Sequence, residues 1–267
     1  MLEFAFMRKA LLAGFMLSIM IPMIGIIMVN RKTSMIGDAL SHTSLMGVGL
    51  GLILGFDPLI GSAFICIFAA FLIEFIRKKF PQYGDMATAV IMSTGLGLAA
   101  ILSDFAPGGN SFESYLFGSI SSVTFQDCLN IFLVFIVILV TSISRYCALL
   151  AISIDTNTAR LAGVKVKFLN NIFTFLAALT IALSVKIVGA LMVTSLIVLP
   201  VATSLIIAKS YKETYFLTII LGIIYMMLGI IFSYYFDIKP GGAIIINAVI
   251  GMLCFAIFRK CKKTIKA

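Results

Sequence analysis

Tryptophan is absent from this chain, and histidine occurs once, at position 42. Charge is scarce: Asp, Glu, Lys and Arg make up 12% of the 267 residues, against about 25% in a soluble domain. So few charges cannot cover a surface facing water. This excludes an ordinary soluble enzyme, a disordered linker and a nucleic-acid-binding module. The five cysteines, Cys66, Cys128, Cys147, Cys254 and Cys261, are scattered without C-x-x-C or zinc-finger spacing, and most of them are expected as small buried hydrophobes. No G-x-x-x-x-G-K-[ST] phosphate cradle is present, so ATP would have to be hydrolysed by another chain. A single histidine excludes a three-histidine zinc centre. Without G-x-S-x-G or H-E-x-x-H, it also excludes a Ser/His/Asp triad and a zinc protease.

What the chain has in quantity is apolar sequence: 61% hydrophobic residues and a mean hydropathy of +1.16. A helix needs about 20 apolar residues to cross a bilayer. Runs of that order predict spans near 10–29, 35–55, 58–76, 86–103, 128–148, 168–186, 188–208, 214–235 and 242–258. The fold class is therefore all-α, a polytopic transmembrane bundle of eight or nine spans, with residues 1–267 as one domain. The first run is not read as a signal peptide, because another hydrophobic helix follows it.

The net charge of +9 fits cytoplasmic loops that collect Lys and Arg. Nine spans with the N-terminus outside place Arg31, Lys32, Arg77, Lys78, Lys79, Arg145, Arg160, Lys165, Lys167, Lys209, Lys212 and the basic tail inside. Only Arg8, Lys9, Lys186 and Lys239 stay outside. The C-terminus is then cytoplasmic.

Two connections are longer than a hairpin. The outer segment 104–127 is expected to open as a turn at Pro107, Gly108 and Gly109 and to hold a short helix at YLFGSI. The inner segment 152–167 has Asp155 or Thr156 to cap a short helix and Gly163 to end it. A plain connector and a docking element are both open to that pattern.

Ionisable groups at membrane depth are costly and face a cavity, a partner or a pathway. In the second span Asp38 and His42 are four apart and share one helix face, with Gly49 as a gap on that face. Gly47, Gly51 and Gly55 form a small-residue strip on the opposite side. Asp with His suits Zn²⁺, Mn²⁺ or Fe²⁺. Spacing alone favours an Asp–His hydrogen bond near the inner interface with no ligand. A complete metal shell would need water, other oxygens or a second subunit. Glu74 and Asp85 read as interfacial, and Lys186 and Lys239 as reaching the outer surface. Thr194, Ser195, Ser233 and Asn247 can bond helix to helix. Pro200 is expected to kink or end its helix.

Four stretches resemble the membrane subunits of bacterial ABC importers for divalent metals, the zinc/manganese/iron permease family. They are RKTSMIGDALSHTSLMGVGL (31–50), YLFGSI (115–120), IDTNTARLAGV (154–164) and VGALMVTSLIVLPVAT (188–203). The resemblance spans roughly residues 8–258. It implies the fold of the vitamin- and siderophore-type (type II) importer permeases. It implies no enzyme activity in this chain and no resident cofactor. The expected partners are a second copy of the chain, a cytoplasmic ABC ATPase, an extracytoplasmic metal-binding protein and the lipid bilayer, with no nucleic acid. The bacterial plasma (inner) membrane is the implied location. Asp38 and His42 carry over as ligands of the transported metal, and Asp155, Ala159 and Gly163 as the ATPase-coupling segment. Many manganese members have L-P-G after the histidine motif. This chain has Leu45-Met46-Gly47, nearer the zinc members, which implies zinc, with manganese or iron(II) as alternatives. Pro200 is followed by Val201 rather than the usual alanine. A gradient-driven transporter is the remaining rival, but it would need a repeated intramembrane carboxylate.

Overall fold

The computed structural model describes residues 3–106 and 109–264. Those residues form helices α1 (Ala5–Asn30), α2 (Ser34–Leu54), α3 (Pro58–Lys79), α4 (Gly84–Phe105), α5 (Gly109–Phe117), α6 (Phe125–Ser144), α7 (Tyr146–Ile154), α8 (Thr156–Leu161), α9 (Val166–Val188), α10 (Ala190–Ile207), α11 (Tyr211–Phe236) and α12 (Pro240–Thr264). No strand occurs among the described residues. The fold is all-α, as expected.

Among the described residues, eight helices are long and apolar enough to cross a membrane: α1, α3, α4 (within the segment Pro81–Phe105), α6, α9, α10, α11 and α12. The ninth expected span, α2, has 21 residues but does not join them. Asp38, His42 and four further hydroxyl residues, Ser34, Ser41, Thr43 and Ser44, dilute its apolar character. It packs instead among α3, α4, α9 and α10. A polar helix is tolerated at membrane depth when protein rather than lipid surrounds it.

Local chemistry sets most helix ends. Asp57 caps α3, accepting from the Leu59 N–H, with Pro58 in the first turn and Arg77, Lys78 and Lys79 in the last. Thr124 and Asp127 form a reciprocal capping box on α6. Ser210 caps α11 by accepting from the Glu213 N–H. α6 stops at Arg145, so the expected span to residue 148 is cut short, and α7 begins. Pro200 neither ends nor interrupts α10, which runs through it to Ile207. The break falls at Gly189, whose φ of 93° is a left-handed conformation that favours glycine.

α1 and α9 form the centre of the bundle, with Leu17, Met20, Ile21, Ile181, Ala182 and Val185 fully buried. α4, α6 and α12 turn Val90, Ile101, Leu133, Val140, Ile246 and Leu253 outward. In a membrane such an apolar surface faces acyl chains. The expected small-residue strip on α2 does bring a neighbour close. A side chain on Gly47 would collide with the backbone of Gly61 on α3, and one on Gly61 with Gly47. Gly51 meets Pro58 in the same way. Gly55, by contrast, ends α2 in a left-handed conformation and has open space.

The cysteine expectation fails in part. Cys66 is buried, Cys128 is half-buried, and Cys147 and Cys254 are exposed. Cys254 is on the spanning helix α12, whereas Cys147 is on the short helix α7. The Cys261 side chain lies outside the described residues.

Candidate metal site

α2 starts after a tight turn in which the Thr33 N–H and hydroxyl both donate to the Met28 carbonyl. Four residues into the helix, Asp38 points toward α10. The Thr194 hydroxyl donates to Asp38 Oδ1 at 2.9 Å. His42 Nε2 stands 3.6 Å from the same oxygen. That is too long for a hydrogen bond. It is the spacing of two donors around one ion with tetrahedral bonds of about 2.0–2.2 Å, which sit roughly 3.3–3.6 Å apart. His42 Nδ1 is buried without a hydrogen-bond partner, so neither ring nitrogen is held by a protein hydrogen bond. The Asp38 side chain is 30% exposed and that of His42 14%.

Thr194 is the polar residue that completes this face, expected only as a generic helix-to-helix donor. Gly49 is not the gap expected on the Asp–His side: Leu102 of α4 fills the space beside it. Among the described residues, no group of three or more His, Cys, Asp and Glu could hold a metal ion. On this face one chain brings together a carboxylate, an imidazole and a hydroxyl.

Directly along α10 from Thr194 lies the junction of three chain segments. Side chains added at Gly118, Gly189 or Gly241 would each strike backbone of the others' segments. The Ser119 N–H donates to the Lys186 carbonyl at 3.0 Å. The end of α5, the α9–α10 break and the start of α12 are thus held backbone to backbone. The YLFGSI stretch is half as expected: Tyr115, Leu116 and Phe117 close α5, and Gly118 leaves it at φ 80°. Gly109 begins α5, whereas Pro107 and Gly108 of the expected turn lie outside the described residues.

Lys186 does not reach the outer surface. Its ammonium donates to Asp127 Oδ2 at 2.7 Å, with side-chain exposures of 14% and 6%. A T-x-x-D box before an apolar run marks Asp127 as a cap in sequence, but nothing there announces its partner 59 residues away. Lys239 does stay exposed, pairing with Glu113 and lying 4.0 Å over the Phe117 ring. Glu74 is tucked in and pairs with Lys78 at 3.2 Å. Ser233 caps its own helix end by donating to the Ile238 carbonyl rather than joining two spans. Asn247 Nδ2 is buried without a partner.

Asp155, Ala159 and Gly163 form a separate group on the α7–α8 corner. Each has a local task in α8. The Asp155 carboxylate accepts from the Asn157 and Thr158 N–H groups and the Thr158 hydroxyl. These donors hold its pKa below the ordinary carboxylate range. Ala159 is buried against Ile152, Val166 and Leu169. Gly163 follows the helix at φ 79°. Leu161, overlooked in the sequence, is 90% exposed and is the most prominent apolar side chain of the segment.

The sequence profile of the ABC 3 transport family matches residues 3–259. A probable metal transport system membrane protein of Treponema pallidum (strain Nichols) is 34% identical over 258 residues, covering 96% of this chain and 97% of its own. The high-affinity zinc uptake system membrane protein ZnuB of Haemophilus influenzae is 30% identical, with 91% and 94% covered. The manganese import system permease protein ScaB of Streptococcus gordonii is also 30% identical, with 97% and 93% covered. Among solved structures, PsaBC from Streptococcus pneumoniae in complex with Fab superposes with a TM-score of 0.86 at 28% identity, covering 97% of this chain and 96% of that one. An inward-facing metal-chelate-type ABC transporter shares the fold, with a TM-score of 0.74 at 18% identity over 94% and 84% of the two chains.

Proposed function

The chain belongs to the ABC 3 transport family, the multi-pass membrane permeases of metal-ion ABC importers, and on that premise we propose that it carries zinc inward as one half of a homodimeric pathway. Asp38 and His42 are the ligands the ion meets. The observation that carries this reading is the 3.6 Å separation of Asp38 Oδ1 and His42 Nε2, with Nδ1 of the same ring unpartnered. Two strong ligands from one chain and a partly exposed Asp38 favour a site shared with a second copy, which would double the ligand set. Relatives named for zinc and for manganese are about equally similar. Leu45-Met46-Gly47 and the tetrahedral donor spacing support zinc.

The permease is a single domain without ATPase chemistry of its own. An ABC ATPase docks on the inner side at α8, where Leu161 offers an apolar contact and Asp155, Ala159 and Gly163 hold the helix in shape. An extracytoplasmic metal-binding protein delivers the ion to the outer mouth near α5. The basic tail, Arg31, Arg77 and Arg160 mark the cytoplasmic side, so the C-terminus faces the cytoplasm at the bacterial plasma membrane. ATP-driven closure of the ATPase pair moves α8 and, through α9, the α9–α10 break above Thr194. Shifting α10 carries the Asp38 carboxylate with it through the Thr194 hydrogen bond and changes the geometry it offers the ion. Family membership displaces the gradient-driven alternative.

The test is metal-stimulated ATP hydrolysis and uptake by the assembled importer, reconstituted with its ATPase and binding protein. Zinc should stimulate more than manganese, and Asp38→Ala should abolish the response with assembly intact. An Asp38→Ala importer that still responds to zinc would refute the assignment.

A further inference from the structure

A second polar feature stands apart from Asp38 and His42. The α1–α2 turn, the end of α3 and the α7–α8 corner enclose an open cleft of about 600 Å³, within the size range of small-molecule sites. Five cations line it: Arg31, Lys32, Arg77, Lys78 and Arg160. Two carboxylates, Glu74 and Asp155, share the lining, and both are engaged. Glu74 pairs with Lys78, and Asp155 caps α8. Among the described residues, Arg31, Lys32, Arg77 and Arg160 make no ion pair within 4.0 Å.

Two local details sharpen the picture. Burial lowers the Arg31 pKa, Glu74 opposes that shift, and neighbouring Arg77 lowers it again; an arginine so placed still stays charged. Lys32 sits at φ 54°, a left-handed conformation unusual for a side chain of its length. That turn keeps consecutive cations beside the cleft. Five cations against two carboxylates leave the cleft with an excess of positive charge, which calls for an anion with several acceptor oxygens.

We propose that this cleft binds the phosphate headgroup of an anionic phospholipid from the inner leaflet. The lining comes from helix ends, where apolar spans give way to basic loops. Headgroups lie at that level, and basic pockets there select anionic lipids. Ile154, 77% exposed and part of the same lining, supplies an apolar lip for the first carbons of an acyl chain. A cation leaving the membrane would avoid so positive a wall, so the cleft is not the exit route of the transported ion. The bound headgroup would tie the α1–α2 turn to α8. The inference rests on the inner-side assignment made above, but its test needs no transport.

The experiment is native mass spectrometry and thermal unfolding of the purified full-length permease. Phosphatidylglycerol, phosphatidylcholine of matched acyl chains and inorganic phosphate are compared as probes. Phosphatidylglycerol should be retained and should raise the unfolding temperature. Removing one cation near a charged headgroup weakens binding by about fivefold. The surface variants Lys32→Gln and Arg160→Gln should each do so, and together by tenfold or more. Arg31→Gln is a harsher change, and the two surface variants keep the test valid if it fails to fold. Equal retention of both lipids, or phosphatidylglycerol binding unchanged in the double variant, would overturn the proposal. Inorganic phosphate protecting as well as phosphatidylglycerol would overturn the lipid source, leaving a soluble phosphate as the ligand.

Discussion

The Thr194 hydroxyl donates to Asp38 Oδ1 at 2.9 Å, joining α10 to α2 across 156 residues of sequence. The same oxygen lies 3.6 Å from His42 Nε2. Asp38 is therefore held by a helix other than its own, and any movement of α10 reaches the carboxylate through one bond.

Thr194→Val should raise the metal concentration for half-maximal uptake. A hydrogen bond to a charged group is worth about 1.5–3 kcal/mol, so the shift should be on the order of tenfold or more. Thr194→Ser keeps the hydroxyl and should restore most of the loss. Uptake titrations with zinc on both variants check this, with a radioactive tracer as readout. If serine is as poor as valine, the methyl group and not the hydroxyl matters.

His42→Gln, which keeps most of the buried volume, should remove zinc-dependent uptake while leaving the unfolding temperature near that of the wild type. Nδ1 has no hydrogen bond to lose, and Nε2 is beyond hydrogen-bond reach of Asp38. A large drop in stability would show that the ring is a packing element instead.

Lys186→Met should destabilise the bundle, because it leaves Asp127 buried without its cation. Breaking a buried pair costs about 3–5 kcal/mol, and the residual exposure of Lys186 places this case at the lower end. Combining Lys186→Met with Asp127→Asn should recover most of that loss, since the amide oxygen can still accept from the Thr124 N–H. Denaturant unfolding of the four proteins in detergent gives the coupling directly.

Gly189→Ala should impair folding, whereas Gly97→Ala should not. Position 189 combines φ 93° with backbone of Phe117 and Gly118 in the way, and alanine at a positive φ is strained even in open space. Gly97 has nothing within 4 Å of a new methyl group and gains helix propensity. Yield after membrane extraction and size-exclusion profiles separate the two.

Leu161→Asp should weaken co-purification with the ATPase while leaving the permease about as stable as before, because Leu161 is 90% exposed. Acidification should act differently on the same helix. The Asp155 pKa is lowered, so its cap is fully present above the ordinary aspartate range. It is lost only as pH falls through the lowered value. Coupling should thus be flat from neutral pH down to that range. Pull-downs across a pH series report both effects.

Helix positions were readable because bilayer thickness demands long apolar runs, and breaks come from residues with fixed conformational costs. All nine expected spans correspond to helices, and Asp155 and Gly163 bound α8 as their chemistry requires. Pro200 misled. A proline ends a helix in water, but at bundle depth the chain has no solvent to satisfy freed backbone groups, so the helix continues. Lys186 misled in the opposite direction. A lone cation looks ready to seek water until folding brings Asp127 beside it.

The order of apolar and basic segments by itself determined the class of molecule, its span positions and the Asp38–His42 face, since these depend on residues a few positions apart. Tertiary structure alone decided that Thr194 grips Asp38, that Asp127 neutralises Lys186, and that three glycines lock α5 onto the α9–α10 break. The reason is geometric. Helical periodicity fixes which side chains share a face, but the partner across that face depends on how separate helices pack, and no local spacing encodes it.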